Sequence, residues 1–244
     1  MEIALRKKNK TVMDEVSTPI TILFQGDSIT ESGRCRRNDA DMGTGYAMIV
    51  AKRFSAEYAG KQVRFLNRGV SGDKVKDLRK RWQKDCLDLR PDVVSILIGI
   101  NDIVGKYFWN NPTSTKSFEE DYRTILEQTH DVLAAKIILL TPFVIHISKT
   151  ELIHKIILKQ KGELANYVSK IELTNKAILK QKIGVVNKLS KEFGTLLIPL
   201  DSIFDEATKK RTPTYLSTDG IHLTAKGHSL IAQSWLKSVS AILT

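Results

Sequence analysis

Four short strings hold the side chains best able to do covalent chemistry: Gly26-Asp27-Ser28, Asn67-Arg68-Gly69-Val70-Ser71-Gly72, Gly99-Ile100-Asn101-Asp102 and Asp219-Gly220-Ile221-His222. A serine at a strand-to-helix turn sits at a helix N-terminus, where free N–H groups and the dipole favour a developing anion. The same string also serves as a plain helix cap. Gly69 and Gly72 let backbone approach a ligand closely and leave N–H groups free. Their loop lacks the Gly-Lys-Ser/Thr of a phosphate loop and the full dinucleotide glycine signature. Asn101 can aim an amide NH2 at an oxyanion, or simply open an Asx turn. An Asp three residues before a His can fix the imidazole tautomer through Nδ1 and leave Nε2 as a base toward serine. A lone Asp-x-x-His equally makes half a metal site or a surface ion pair. No second cluster with metal-ligand spacing accompanies it, and His130, His146, His154 and His228 are scattered.

These strings follow strands, and the strands are legible. Apolar runs at Ile20–Phe24, Val63–Leu66, Val93–Ile98, Lys136–Leu140 and Thr195–Pro199 are nearly continuous rather than alternating, which suits strands covered on both faces. Helical periodicity lies between them, over 46–58, 73–87 and 225–243, and over a segment that begins at Ser117 with Glu120 completing a capping box. Strands alternating with helices predict a three-layer α/β/α sandwich around a five-stranded parallel sheet. In such sheets ligands bind outside the carboxyl ends of the strands, so the four strings converge on one edge. Together they supply nucleophile, base, orienting acid and oxyanion donors.

In this combination the chain resembles the SGNH, or GDSL-type, esterases and lipases. Gly26-Asp27-Ser28, Gly72, Gly99-Ile100-Asn101-Asp102 and Asp219-Gly220-Ile221-His222 are similar to that family's successive blocks, and the resemblance runs from about residue 20 to 243. It implies Ser28 as nucleophile, His222 as base and Asp219 as its partner. The oxyanion donors it implies are the Ser28 and Gly72 N–H groups and the Asn101 amide. It also implies a flavodoxin-like strand order, 2-1-3-4-5, and no metal or other cofactor. Asp27 and Asp102 are read as supporting residues that order their loops, since the mechanism needs one carboxylate. The Gly-x-Ser-x-Gly elbow of α/β-hydrolases is absent.

The wording of Asp27-Ser28-Ile29-Thr30, Gly43-Thr44-Gly45-Tyr46, Val70-Ser71-Gly72, Ile98 to Asp102 and Thr141-Pro142-Phe143 is similar to the intracellular acetyl-xylooligosaccharide esterase branch. That likeness implies a small-molecule ester substrate, an acetylated sugar. A lysophospholipase or acyl-thioesterase with a helical lid is the alternative on the same frame. Five neighbours complete the candidates. Arg34, Arg36 and Arg37 either line the pocket or are solvated, as Arg-rich turns usually are, and Trp109 or Phe108 offers a stacking face or ordinary packing.

The 244 residues form one domain on this reading, with a basic tail over 1–15 and a lysine-rich helical insertion over about 146–191. The formal charge of +11 suggests an anionic partner at first sight. Yet residues 1–10 carry a net +3 and 149–191 a net +7, leaving +1 for everything else. Neither basic stretch has a nucleic-acid module, and Tyr167 is the only aromatic residue within 149–191, which argues against nucleic acid. No apolar run approaches a membrane span and no secretory signal is visible, so a cytoplasmic protein without stable membrane insertion is expected. Cys35 and Cys86 read as reduced thiols. A homo-oligomer is compatible with this sequence.

Overall fold

A computed structural model describes residues 19–104, 112–147 and 164–243. The strands are β1 (Ile20–Gly26), β2 (Val63–Gly69), β3 (Val93–Leu97), β4 (Lys136–Leu140) and β5 (Leu196–Ile198). All pair in parallel, in the order β2-β1-β3-β4-β5. This is the expected order, and the sheet matches the expected α/β class. Helices α1 (Ser28–Glu31), α2 (Tyr46–Glu57), α3 (Val75–Asp85), α4 (Ile100–Val104), α5 (Thr115–Val132), α6 (Leu164–Glu192), α7 (Leu200–Thr208), α8 (Pro213–Leu216) and α9 (Ala225–Leu243) occupy the connections.

The two-residue period of a strand explains the continuous apolar runs. Ile22 and Phe24 of β1, with Ile138 and Leu140 of β4, face a core shared with Tyr46, Val50 and Phe54 of α2, Phe204 of α7 and Trp235 of α9. Leu23 and Leu139 face the opposite way, among Leu78 and Trp82 of α3, Phe118, Tyr122 and Ile125 of α5, and Val185, Val186 and Leu189 of α6. Buried ring N–H groups are satisfied on both faces. Trp235 Nε1 donates to Ser95 Oγ at 3.0 Å and Trp82 Nε1 to Thr129 Oγ1 at 3.0 Å. Cys86 is buried on the α3 side, where burial pushes its thiol up to about 12, and Cys35 is exposed.

Two expectations need correction. Helix α5 starts a turn before Ser117, because Ser114 takes the cap: its Oγ accepts the Ser117 N–H at 3.1 Å and its carbonyl the Phe118 N–H at 3.0 Å. The earlier serine gains an additional turn of backbone hydrogen bonds, and Glu120 is left exposed, ion-paired with Lys116. In α6 the lysines do not all lie on the polar side. Lys182 is fully buried, donating to the Thr113 carbonyl at 2.6 Å with its ammonium 4.8 Å from the centre of the Phe118 ring. The C-terminal half of α6 is the crossover that carries the chain from β4 to β5, while residues 148–163 of the expected helical segment lie outside the described residues. So do Phe108, Trp109 and the tail over 1–15.

Candidate active site

At the carboxyl end of β1 the backbone turns through Asp27, whose buried Oδ1 accepts the Ile29 N–H at 3.0 Å, and Ser28 becomes the first residue of α1. Burial pushes the Asp27 carboxyl up to about 7, with the Ile29 N–H pulling it part of the way back. Asp27 therefore caps the turn that presents Ser28.

Across the sheet edge, the loop Ser217–Leu223 is a closed device. Thr218 N donates to the His222 carbonyl at 2.9 Å, and the buried Ser217 hydroxyl donates to the same carbonyl at 2.8 Å while accepting the Gly220 N–H. Asp219 divides its two oxygens between two tasks. Oδ1 accepts the Ile221 N–H at 2.9 Å and the His222 N–H at 2.7 Å, and Oδ2 lies 2.7 Å from His222 Nδ1. That contact places the ring proton on Nδ1 and leaves Nε2 as an acceptor. His222 Nε2 stands 3.4 Å from Ser28 Oγ, longer than a closed O–H···N bond and within the range that tightens when substrate binds.

Electrostatics follow this geometry. Burial pushes the Asp219 carboxyl up, but the His222 ring and the His222 and Ile221 N–H groups outweigh it and leave it below its ordinary value. The Asp219 hydrogen bond raises His222 above its ordinary 6.5, against the effect of burial. A ring held in this way keeps its proton to higher pH than a free histidine.

Gly72 lies in the loop after β2 with φ +83°, a conformation that a residue with a Cβ adopts at a cost. Its neighbours are gripped from both sides. The carboxylate of Glu31 accepts the Ser71 N–H at 2.8 Å and the Ser71 hydroxyl, while Arg81 Nε binds the Asp73 carboxylate at 2.8 Å. Asn101, in the first turn of α4, donates one amide hydrogen to the Asp73 carbonyl at 3.0 Å, and among the described residues the other meets no acceptor. Among the described residues neither the Ser28 N–H nor the Gly72 N–H has a protein acceptor. Asp102, fully buried behind Asn101, accepts the Val75 N–H at 2.9 Å and so fastens α3 to α4. Burial raises its carboxyl to about 6, opposed by the Thr113 side chain, the Val75 N–H and the Lys74 and Lys182 charges.

The structure thus brings Ser28 into line with His222 and Asp219, and ties Asn101 to the Gly72 loop. The arginine turn divides. Arg34 is buried and donates to the Gly69 carbonyl at 3.0 Å, Arg36 pairs with Glu31, and Arg37 is exposed. Solvation of Arg34 is therefore overturned, because Gly69 offers a buried carbonyl within reach. Two contributors carried no distinct signal in the sequence. Glu31 reads there as an ordinary helix acid. His228 reads as an isolated histidine, yet its Nδ1 accepts the Tyr46 N–H at 3.2 Å and caps α2. Burial lowers it to about 4, so it stays neutral. Among the described residues no group of three or more His, Cys, Asp or Glu side chains could hold a metal, and no helix is long and apolar enough to cross a membrane.

Comparison with known proteins shows the family. An acetylxylan esterase of Geobacillus stearothermophilus is 29% identical over 226 residues, covering 89% of this chain and 93% of that protein. Its crystal structure superposes with a TM-score of 0.75 over 90% of this chain and 94% of the other. Further structures of that enzyme are catalytic mutants with alanine replacing a serine, an aspartate or a histidine, the last two being three positions apart. A structure from Parabacteroides merdae described as a GDSL-like lipase is 33% identical, with a TM-score of 0.77, covering 91% of this chain and 95% of that one. The model of the GDSL-like lipase/acylhydrolase family matches residues 24–230. With that match spanning most of the chain, the protein belongs to the GDSL-like lipase/acylhydrolase family and is a carboxylic ester hydrolase.

Proposed function

We propose that the protein removes short acyl groups, acetyl foremost, from hydroxyls of sugars or oligosaccharides through a Ser28 acyl-enzyme. The observation that carries this reading is the line from Asp219 Oδ2 to His222 Nδ1 at 2.7 Å and from His222 Nε2 to Ser28 Oγ at 3.4 Å. His222 takes the Ser28 proton as Oγ attacks the ester carbonyl, and the oxyanion is received by the Ser28 and Gly72 N–H groups and the free hydrogen of the Asn101 amide. The imidazolium, stabilised by Asp219, then protonates the departing alcohol. Water repeats the sequence on the acyl-enzyme and releases the acid.

The relative named as an acetylxylan esterase supports acetyl transfer from a sugar. The setting supports it too, since the side chains of His222 and Asp219 are 53% and 40% exposed and Ser71 and Thr218 beside the site are polar. Purified Ser28→Ala, assayed on an activated acetyl ester, is expected to lose at least about a thousandfold in kcat with its melting temperature kept. Wild-type turnover by Ser28→Ala would remove the mechanism. Acetylated xylooligosaccharides compared with octanoyl and longer esters test the substrate. A strong preference for the long chains would transfer the assignment to a lipid acyl hydrolase.

A further inference from the structure

The oxyanion loop presents a mechanical problem. Gly72, with φ +83° and no side chain, cannot fix the direction of its own N–H, so its aim must come from its neighbours. Asp73 is held by Arg81 and Asn101, which belong to α3 and α4. Ser71 is held from the other side by Glu31, the last residue of α1 and three positions after Ser28. Glu31 is 8% exposed, a rare burial for an acid, and its carboxylate is fully used. Oε2 accepts both the N–H and the hydroxyl of Ser71, and Oε1 accepts Arg36 Nε.

Helix α1 has only four residues, and its seat is close. A Cβ on Gly69 would lie 2.3 Å from the Glu31 nitrogen, so the end of β2 and the end of α1 touch backbone to backbone. Asn67 Nδ2 donates to the Thr30 carbonyl at 2.7 Å beside this contact. From that seat the Glu31 side chain spans to Ser71. One carboxylate thereby registers the helix that carries the nucleophile against the loop that carries an oxyanion donor.

We infer that Glu31 is a positioning residue for the oxyanion hole, acting through Ser71 to hold the Gly72 N–H at the distance from Ser28 Oγ that the tetrahedral intermediate requires. This rests on the Ser28 mechanism proposed above. A donor displaced by a fraction of an ångström acts in the transition state more than in substrate binding, so the loss should fall on kcat. The ion pair with Arg36 is a separate matter: it engages Oε1, the oxygen that Ser71 does not use.

The test is a set of four variants assayed on one activated acetyl ester, with Ser28→Ala as reference. Glu31→Ala is expected to lower kcat about 10- to 100-fold with KM changed less than about threefold, below the full loss of a donor because Gly72 remains. Affinity for a boronic acid that forms the anionic tetrahedral adduct on serine should fall in parallel. Glu31→Gln keeps an oxygen for Ser71 and gives up Arg36, whose donor-only guanidinium, 52% exposed, turns to water, so it should recover most of the rate. Arg36→Ala should stay within about threefold of wild type.

An unchanged kcat in Glu31→Ala, a loss confined to KM, or an equal loss in Arg36→Ala would overturn the inference. If Glu31→Ala does not fold, Ser71→Ala decides between the outcomes, since it loses only the hydroxyl contact. A kcat lower by about threefold or more at constant KM supports the inference, and an unchanged kcat refutes it. Activity persisting in Ser28→Ala would fail the mechanism itself. Loss there with a normal Glu31→Ala would fail the positioning role alone.

Discussion

Asp219 shows how much one side chain can settle. Its first oxygen closes the backbone turn and its second sets the imidazole tautomer, so the histidine arrives oriented before any substrate does. On the proposed mechanism His222 must be neutral to accept the Ser28 proton. Since Asp219 raises the His222 pKa above 6.5, kcat/KM should climb with pH along a limb centred above that value. In Asp219→Ala the ring loses the partner that raised it. The limb should then move to lower pH while the plateau falls by about a hundredfold or more, which a pH–rate profile from 5 to 9 reads directly. This side chain was legible from type and spacing, because Asp-x-x-His before a helix has few other uses once a serine and an asparagine stand at neighbouring strand ends. Glu31 was not legible. An acid in the first turn of a helix is among the commonest surface residues, and only the contact across 40 positions of chain to Ser71 reveals it.

Elements were legible where burial left a pattern. The five apolar runs became the five strands, since a strand with cores on both faces has no polar side to interrupt it. The start of α5 was missed by a turn because two serines, Ser114 and Ser117, both offer a cap and residue type does not rank them. Helix α6 was legible as a helix but not as scaffolding, since Lys182 is one lysine among many in that stretch. In the folded chain it donates to the Thr113 carbonyl just ahead of α5, and its charge helps to keep Asp102 ionised. Lys182→Ala strips Thr113 of its donor and removes a buried aliphatic stem. It should destabilise the protein by about 2–4 kcal/mol, from a buried carbonyl left unpaired and the space the stem leaves. Lys182→Met keeps the stem and should cost roughly half as much, and urea unfolding of the two variants separates packing from charge.

At the scale of the molecule the net charge of +11 describes its surface less directly than the count suggests. Part of the lysine surplus in α6 is used internally: Lys182 is buried, Lys188 binds Glu119 at 2.7 Å, and Glu119 also meets Arg123, which is paired to Glu192. These pairs fasten α6 to α5. Charge totals cannot reveal this, because pairing depends on which helices lie side by side. The same two-faced packing has a kinetic consequence for the thiols. Cys35 is open to solvent, whereas Cys86 lies behind Trp82 with its thiol pushed up to about 12, so the native chain offers one reactive sulfur and conceals the other. A disulfide reagent should label the first at once. The second should react only as fast as the α3 face of the core opens, and immediate labelling of both in native buffer would contradict that packing. Two cysteines too few to brace the fold therefore give it an internal clock, in which the delay between the first and second modification measures the opening of the interior.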